Sequence, residues 1–556
     1  LDNLAGTAGG IPLENHQGEL SAEFAATPQK WKLPHALLKL TENQGETLVA
    51  QATATAEGDI QPFTAKLHLD VAPVTSQALN IAGSFYHGLR FGEGSMEYHA
   101  DATYGVDGSI ALTGALSMQN AEISSLELDI SGMPLLAANL NHDLAYSPNA
   151  KSARIEALDA VLTMDNEEVV LVRLADPATV RLAKTEQEEV SMEPATLDFR
   201  VKKLPLKLAN IALTGADSPR IDAGAASADL KVKIAALGQS AAITGPVEIT
   251  GLGMRIPKKE MELEEVGVTY NINATMQEMR DLTLSPNTIT VTAAGQDAAA
   301  FRPELSCNVE TKSGTFALEI EKLTPAIAAL LPPDLLADSV IMRLEAGGSV
   351  TGSFDATAKT ANVEYEINLP AAQITTPDKG PTPNLAASFK GSSRYTDGLL
   401  EISPTVLESS ADNQQLAHLA VDGAVAVPID TGKTEINLKS DGMNLLVLKD
   451  IAAKLKREKE EEIEPEPPPE KPTPKPGKPK RQIDAVAHLD MQNLVYDEVT
   501  VGSIRGDVYY RGTTLETEDL EIEVNEAPLV LSAMLDHGKK RPQYDVNASL
   551  GQLMLD

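Results

Sequence analysis

Cysteine is almost missing from this sequence: Cys307 is the only one in 556 residues. A single thiol excludes an intrachain disulfide framework, a CxxC redox pair and a zinc site built from thiolates, and it leaves the compartment open. Aromatic residues make up 4% of the chain, and Trp31 is the only tryptophan. A transmembrane barrel needs Trp and Tyr girdles at both interfaces, so this count argues against a porin. Sugar-binding modules rely on exposed aromatic platforms, and the same shortage weakens a lectin reading. Basic charge is also in deficit, with 46 Lys and Arg against 80 Asp and Glu and a formal net charge of −34. Affinity for phosphate needs clustered cations, so nucleic acid is not an expected partner. The same charge favours solubility and gives the chain no general pull toward an anionic bilayer.

Long apolar runs are absent. The best candidate, "LTPAIAALLPPDLLADSVIM", is broken by Pro332, Pro333, Asp334 and Asp338 and does not span a membrane as a helix. The chain starts at Leu1 without a methionine, a charged n-region or an apolar h-region, which leads us to expect that a signal or anchor precedes it. Catalytic motifs are missing as well. "TGKT" at Thr431 has Val427 where a phosphate loop requires its first glycine, and its lysine leads into a strand pattern. There is no HExxH, and His87 and His99 are too far apart for a single-turn helical metal pair. "GSIRG" places its serine one position early for a nucleophile elbow. Glu127 with Asp129, and Glu516 with Glu518, read as solvated strand faces, because acid and base work needs one carboxylate in an apolar pocket. No catalytic residue, metal site or cofactor is expected, and the chain is not expected to be an enzyme.

What the sequence has in abundance is alternation with period two. Leu126, Leu128 and Ile130 share one strand face while Glu127 and Asp129 share the other. The pattern returns with Leu230, Val232 and Ile234 against Lys231 and Lys233, and with Val363, Tyr365, Ile367 and Leu369 against Glu364, Glu366 and Asn368. Phe316, Leu318 and Ile320 make another such set, and Val499 with Val501 a shorter one. One dry and one wet face is the signature of antiparallel sheet exposed on a single side. "VDGS" at Val106, "TDGL" at Thr396 and "YRGT" at Tyr510 supply turns for hairpin connections. Helices are few: one with Thr324 as N-cap and Pro325 in its first turn, stopping at Pro332, and one from about Asn444 to Glu462. The second feeds "EPEPPPEKPTPKPGKPKR", Glu464 to Arg481, whose prolines remove backbone donors. At about 3.1 Å per residue such a tether reaches on the order of 50 Å.

Two stretches recur. Tyr86, Leu89, Phe91 and Gly92 have the spacing of Tyr496, Val499, Val501 and Gly502, and "LELDISGMPLL" from Leu126 matches "INLKSDGMNLL" from Ile436 at Gly132, Met133, Leu135 and Leu136. The separations differ, so no fixed solenoid period is read. The C-terminal stretch "IDAVAHLDMQNLVYDEVTVGSIRGDVYYRGTTLETEDLEI", preceded by "INLKSDGMNLLVLKDI" and the proline-rich spacer, resembles the C-terminal region of the AsmA family, relatives of the TamB proteins of the Gram-negative cell envelope. The likeness runs from about Asp430 to Asp556; the family's N-terminal membrane helix is not part of this chain.

That resemblance implies an all-β fold: a long, strongly curved antiparallel sheet with a taco-like open groove and a few short helices. It also implies a periplasmic setting, anchorage to the inner membrane, and movement of phospholipid between the inner and outer membranes, with a part in outer-membrane assembly. The expected partners are phospholipid or other acyl-chain lipid and the two membranes or their proteins. The layout expected is an extended sheet region over 1–442, which has room for several quasi-repeated units, a helix over 443–462, a proline-rich linker over 463–482 and an AsmA-like β segment over 483–556. A one-faced sheet with few helices either closes on another sheet or curls so that its dry face lines a channel. The groove candidates are Leu126, Leu128, Ile130, Leu230, Val232, Ile234, Phe316, Leu318, Ile320, Val363, Tyr365, Ile367, Leu369, Val499 and Val501. The alternative, which fits alternation and acidity equally well, is a structural or adhesive surface protein built from β-sandwich modules.

Overall fold

A computed structural model describes residues 7–8, 11–12, 16–42, 46–83, 90–124, 133–181, 191–211, 213, 218–236, 240–257, 261–332, 339–376, 379–429, 432–455, 484–496, 499–538 and 542–551. The chain divides into two compact units, Leu1–Asn287 and Thr288–Asp556. Both are predominantly antiparallel β-sheet, as the alternation requires, and the sheet is not closed into a barrel.

In the first unit the strands His16–Ala26, Lys30–Glu42, Thr47–Asp59, Ala65–Thr75, Ser95–Tyr104, Ile110–Ala121, Leu136–Ser147 and Ser152–Met164 follow one another as antiparallel neighbours. The next position is shared by two short strands, Glu167–Leu174 and Ala178–Arg181, which pair with successive halves of Ser152–Met164. Ala195–Pro205, Arg220–Ala236, Ser240–Ile256 and Met261–Gln277 continue the series. Among the described residues His16–Ala26 pairs on one side only, with Lys30–Glu42, so this edge is open.

The second unit repeats the scheme from Gln296–Asn308 through Ser313–Leu323, Val340–Asp355, Thr360–Thr376, Leu385–Thr396, Leu399–Ala411, Gln414–Ala426 and Lys433–Asn444. Asp484–Tyr496 then lies parallel to Lys433–Asn444, Thr434 opposite Ala485 and Asn444 opposite Val495. A parallel neighbour demands a long return connection. The stretch from Leu445 to Ile483 provides it, although the proline-rich tether lies outside the described residues. Val499–Arg511, Thr514–Val524, Ala527–Asp536 and Gln543–Leu550 complete the unit as antiparallel hairpins.

The expected turns form where the backbone chemistry allows positive φ, at Gly108, at Asp397 with Gly398, and at Gly512. The helix with Thr324 as N-cap is present: Thr324 Oγ1 accepts from the Ala326 N–H at 3.3 Å and Pro325 follows. It is a six-residue 3-10 turn, Pro325–Leu330, too short to settle into α geometry. The last helix is Leu445–Leu455, with Asn444 Oδ1 accepting from the Val447 N–H at 3.0 Å; residues 456–462 lie outside the described set. The structure adds two helical segments that alternation did not announce, Ser76–Gly83 and Leu206–Ile211. Among the described residues the helical segments start at Ser76, Leu206, Pro325 and Leu445.

The recurrent stretches themselves run into different elements. Leu136 opens a strand, whereas its counterpart Leu446 lies in a helix. Phe91 belongs to a two-residue strand against Ile123 and Ser124, whereas Val501 is in a 13-residue strand. Tyr86, Leu89 and Gly132 lie outside the described residues.

Full burial is concentrated at the strand ends that meet these helices. In the first unit Ala121, Met133, Leu136, Met164 and Val169 form a packed cluster with Leu208 of the second helical segment and Phe91 against it. In the second unit Ala411, Leu416 and Ile451 pack with Leu385, Val447 and Leu448, three of these six coming from the last helix.

Candidate functional site

Residues directly opposite in a β-ladder stand on the same face, so the strand register determines whether apolar residues of successive strands join up. In the first unit they do. Leu20 faces Leu38, and the row proceeds through Ala52, Val71, Tyr98, Leu116, Leu140, Ala160, Val172 and Phe199 to Leu230, one residue from each strand. A second row runs alongside where Leu197, Val232 and Ile243 meet, and Ile234 lies between Ala195 and Ala241. The rows are mid-strand, and from Ala52 to Leu230 every member is half-buried, as are Val232 and Ile234. Leu20 and Leu38 at the open edge are 78% and 56% exposed.

The second unit has the same construction. Ile289, Phe301, Ile320, Gly348, Ile367, Phe389, Leu407 and Leu419 succeed one another across the ladder. The row then crosses Ser440 and continues through Met491, Ile504, Ile522 and Leu529 to Leu550. Phe316 lies opposite Gly352, which in turn faces Val363, and Leu318 faces Val350, which faces Tyr365. Gly352 is where the Phe316 ring rests: a Cβ there would come within 2.7 Å of Phe316 Cζ. Tyr365 stacks on Phe389 at 5.1 Å and shares a 2.8 Å hydrogen bond with the Thr405 hydroxyl, which satisfies its phenol on an otherwise apolar face. Leu369 pairs with Ala387.

Thus Leu230, Val232 and Ile234 meet across neighbouring strands in one unit, and Phe316, Leu318, Ile320, Val363, Tyr365, Ile367 and Leu369 do so in the other. All ten are half-buried. Val499 opens its strand opposite Tyr496, and Val501 sits between Leu494 and Val524. Leu126, Leu128 and Ile130 lie outside the described residues.

The other face is polar and laced with cross-strand ion pairs. Arg173 Nε reaches Asp159 at 2.6 Å, Arg255 Nε reaches Asp222 at 2.7 Å and Lys390 Nζ reaches Glu366 at 3.0 Å. Histidines bridge between carboxylates. His68 lies 2.8 Å from Asp101 and 2.9 Å from Asp70, which also takes His99 Nδ1 at 2.5 Å. The hydrogen bond to Asp101 raises the His68 pKa, and the bond from His99 lowers that of Asp70. Exposed pairs of this kind contribute little to stability individually. Their chief consequence is geometric, since they keep this face wet and leave the opposite one to apolar contact.

Two asparagines that sequence reasoning missed lock the helical segments to the sheet. Asn80 Nδ2 donates to the Phe91 carbonyl at 2.9 Å while its Oδ1 accepts from the Phe91 N–H at 2.6 Å. Asn210 makes the same pair of bonds with Ile221, at 2.9 and 3.0 Å. The signal was available: "LNIA" at Leu79 and "ANIA" at Ala209, each followed at equal distance by Arg90-Phe91 or Arg220-Ile221.

Among the described residues no cluster of His, Cys, Asp and Glu has metal-binding geometry, and no helix is long and apolar enough to cross a membrane. No protein-family model matches the chain, and no curated protein sequence is similar to it.

Proposed function

We propose that each apolar face is the wall of a lipid-binding groove, and that the protein is a non-enzymatic, AsmA-like carrier or bridge for phospholipid between the inner and outer membranes. In this reading it works in the periplasm, tethered to the inner membrane, and serves outer-membrane assembly. One observation carries it: apolar rows that continue from strand to strand in register yet remain half-exposed along the strand middles. A β-sandwich would bury its mid-strand residues between two sheets, whereas here full burial is concentrated at strand ends. Each methylene removed from water contributes about 0.8 kcal/mol, so one acyl chain of about sixteen carbons lying on such a face gains on the order of 10 kcal/mol. Binding of tails by burial alone leaves the headgroup free to remain in water.

The test is extraction of the purified protein with organic solvent followed by mass spectrometry, for the wild type and for Val232→Asp and Ile367→Asp, with folding checked by circular dichroism. Phospholipid should co-purify with the wild type and fall at least several-fold in each variant. A folded wild type that carries no phospholipid and takes up none from vesicles would end the proposal.

A further inference from the structure

Strand parity puts an imidazole on the apolar face of the first unit. His142 is two residues from Leu140, opposite Gly114 on one neighbouring strand and Leu158 on the other, and Gly114 in turn faces the buried Ala100. Gly114 makes room for it: a Cβ there would come within 2.6 Å of His142 Nε2 and 3.0 Å of Tyr98 Oη. The imidazole stacks on the Tyr98 ring with centroids 6.0 Å apart, and Nε2 lies 3.1 Å from the Tyr98 hydroxyl. Both side chains are half-buried at mid-strand.

The hydrogens of this pair follow from what surrounds it. His142 Nδ1 is buried and has no hydrogen-bond partner among the described residues. A buried N–H without an acceptor is a rarer and costlier orphan than a bare lone pair, so the ring proton belongs on Nε2. Nε2–H then donates to Tyr98 Oη. The phenolic proton, for which the described residues offer no other acceptor, is left over. The second unit shows the opposite outcome. Thr405 Oγ1 donates to the Ser403 carbonyl at 3.1 Å, so the Tyr365 hydroxyl gives its own proton to Thr405, 2.8 Å away. One apolar face keeps an unused donor at mid-strand, and the other has spent its own.

We infer that Tyr98 donates this hydrogen to an ester carbonyl of the bound lipid, so that the first unit selects acyl esters and fixes where along the strands the head end of the cargo lies. The inference rests on the groove reading above. A carbonyl laid on an apolar face loses its water and needs a donor in exchange. A dialkyl ether lipid has the same tails and headgroup but no carbonyl, and gains nothing from this hydroxyl. A fatty-acid carboxylate would place a charge on an apolar face opposite a single neutral donor, an unfavourable transfer.

Tyr98→Phe keeps the ring and the stack and removes only the hydroxyl. Delipidated protein is loaded with a fluorescent phosphatidylcholine, which is then displaced by dipalmitoyl phosphatidylcholine or by its dialkyl ether analogue. The wild type should bind the ester more tightly than the ether, and Tyr98→Phe should lose about three- to tenfold for the ester and nothing for the ether. In the wild type, the stretching band of an isotope-labelled ester carbonyl should lie below its position in alkane solution; an alkane-like band would overturn the assignment without recourse to the variant. If no phosphatidylcholine binds, the groove reading fails and this inference with it. If ester and ether both bind and Tyr98→Phe weakens them alike, or neither, the groove stands and the role of Tyr98 alone falls.

Discussion

Leu136 and Leu140 belong to the same strand and are the same residue, yet they inhabit different regions of the molecule. Leu136, at the helix-bearing end, is 4% exposed and packs with Met133, Met164 and Val169. Leu140, four residues on, sits between Leu116 and Ala160 on the half-exposed face. At the end, a helical segment supplies the second layer that a sheet needs in order to bury its dry side. The packed clusters do not extend to the middle, where the apolar row remains half-open to solvent. Composition cannot separate these regions, since core and groove draw on the same residues. Burial can, and it places ordinary packed core at the strand ends and the candidate groove between them.

The largest effect that would sharpen or break this contrast is a pair of leucine truncations. Leu136→Ala removes fully buried atoms and leaves a cavity, and should cost about 2–5 kcal/mol in urea unfolding. Leu140→Ala removes half-buried atoms and should cost about 1 kcal/mol, because much of that surface is already in contact with water. If phospholipid occupies the face, the Leu140→Ala cost should grow when the protein is loaded, and the Leu136→Ala cost should not. Equal costs for the two in delipidated protein would mean that the middle is packed as tightly as the ends, and the groove reading would lose its basis.

How much of this was legible beforehand follows from where each feature is encoded. Alternation is local, so Leu230, Val232 and Ile234, or Phe316, Leu318 and Ile320, could be assigned to one face from their spacing alone. Continuity of the rows is not local. Leu140 meets Leu116 only because the register set by turns and bulges brings them opposite, and no short window of sequence contains that information. The parallel join of Asp484–Tyr496 to Lys433–Asn444 was equally hidden, since a proline-rich spacer leaves the choice of partner strand open. Ser76–Gly83 and Leu206–Ile211 were missed because they are too short for a helical period to stand out; the Asn80 and Asn210 clamps were their better sign. The Tyr98 and His142 pair is assembled from two separate stretches and needed the fold to become visible.

The clamps offer the next, smaller test, aimed at the ends alone. Asn210 is 1% exposed and satisfies both backbone groups of Ile221. Asn210→Ala should leave a buried N–H and C=O without partners and cost about 1–3 kcal/mol. Asn80→Ala, at a half-buried site, should cost less. Hydrogen exchange makes the comparison local: the Ile221 amide should lose protection in Asn210→Ala while amides of the strand middles keep theirs. Uniform loss along the strands would mean that ends and middles unfold as one unit, and the distinction between a rigid rim and an open face would not hold.

The smallest effect belongs to the polar face and depends on pH. His488 Nδ1 lies 2.6 Å from Asp507, and Nε2 lies 3.3 Å from Glu435 on the parallel neighbour strand. The hydrogen bond to Asp507 is the main reason that the His488 pKa is raised, and the bond from His488 is the main reason that the Asp507 pKa is lowered. A raised histidine contributes its stability fully below the unfolded value of about 6.5 and loses it as pH climbs through the folded value; a lowered aspartate contributes above about 3.9 and loses it as pH drops through the folded value. The bridge should therefore brace the parallel join best between about pH 4 and 6.5. Because His488 is more than a third exposed, solvent screening reduces the gain to about 1 kcal/mol or less. The difference in unfolding midpoint between wild type and His488→Gln should be largest near pH 5.5 and shrink by pH 8.5, whereas Leu140→Ala, on the apolar face, should show no such dependence. A flat His488→Gln profile would assign the stability of the parallel join to its hydrogen-bonded ladder and apolar contacts, and the polar face would then serve only to keep that side of the sheet wet.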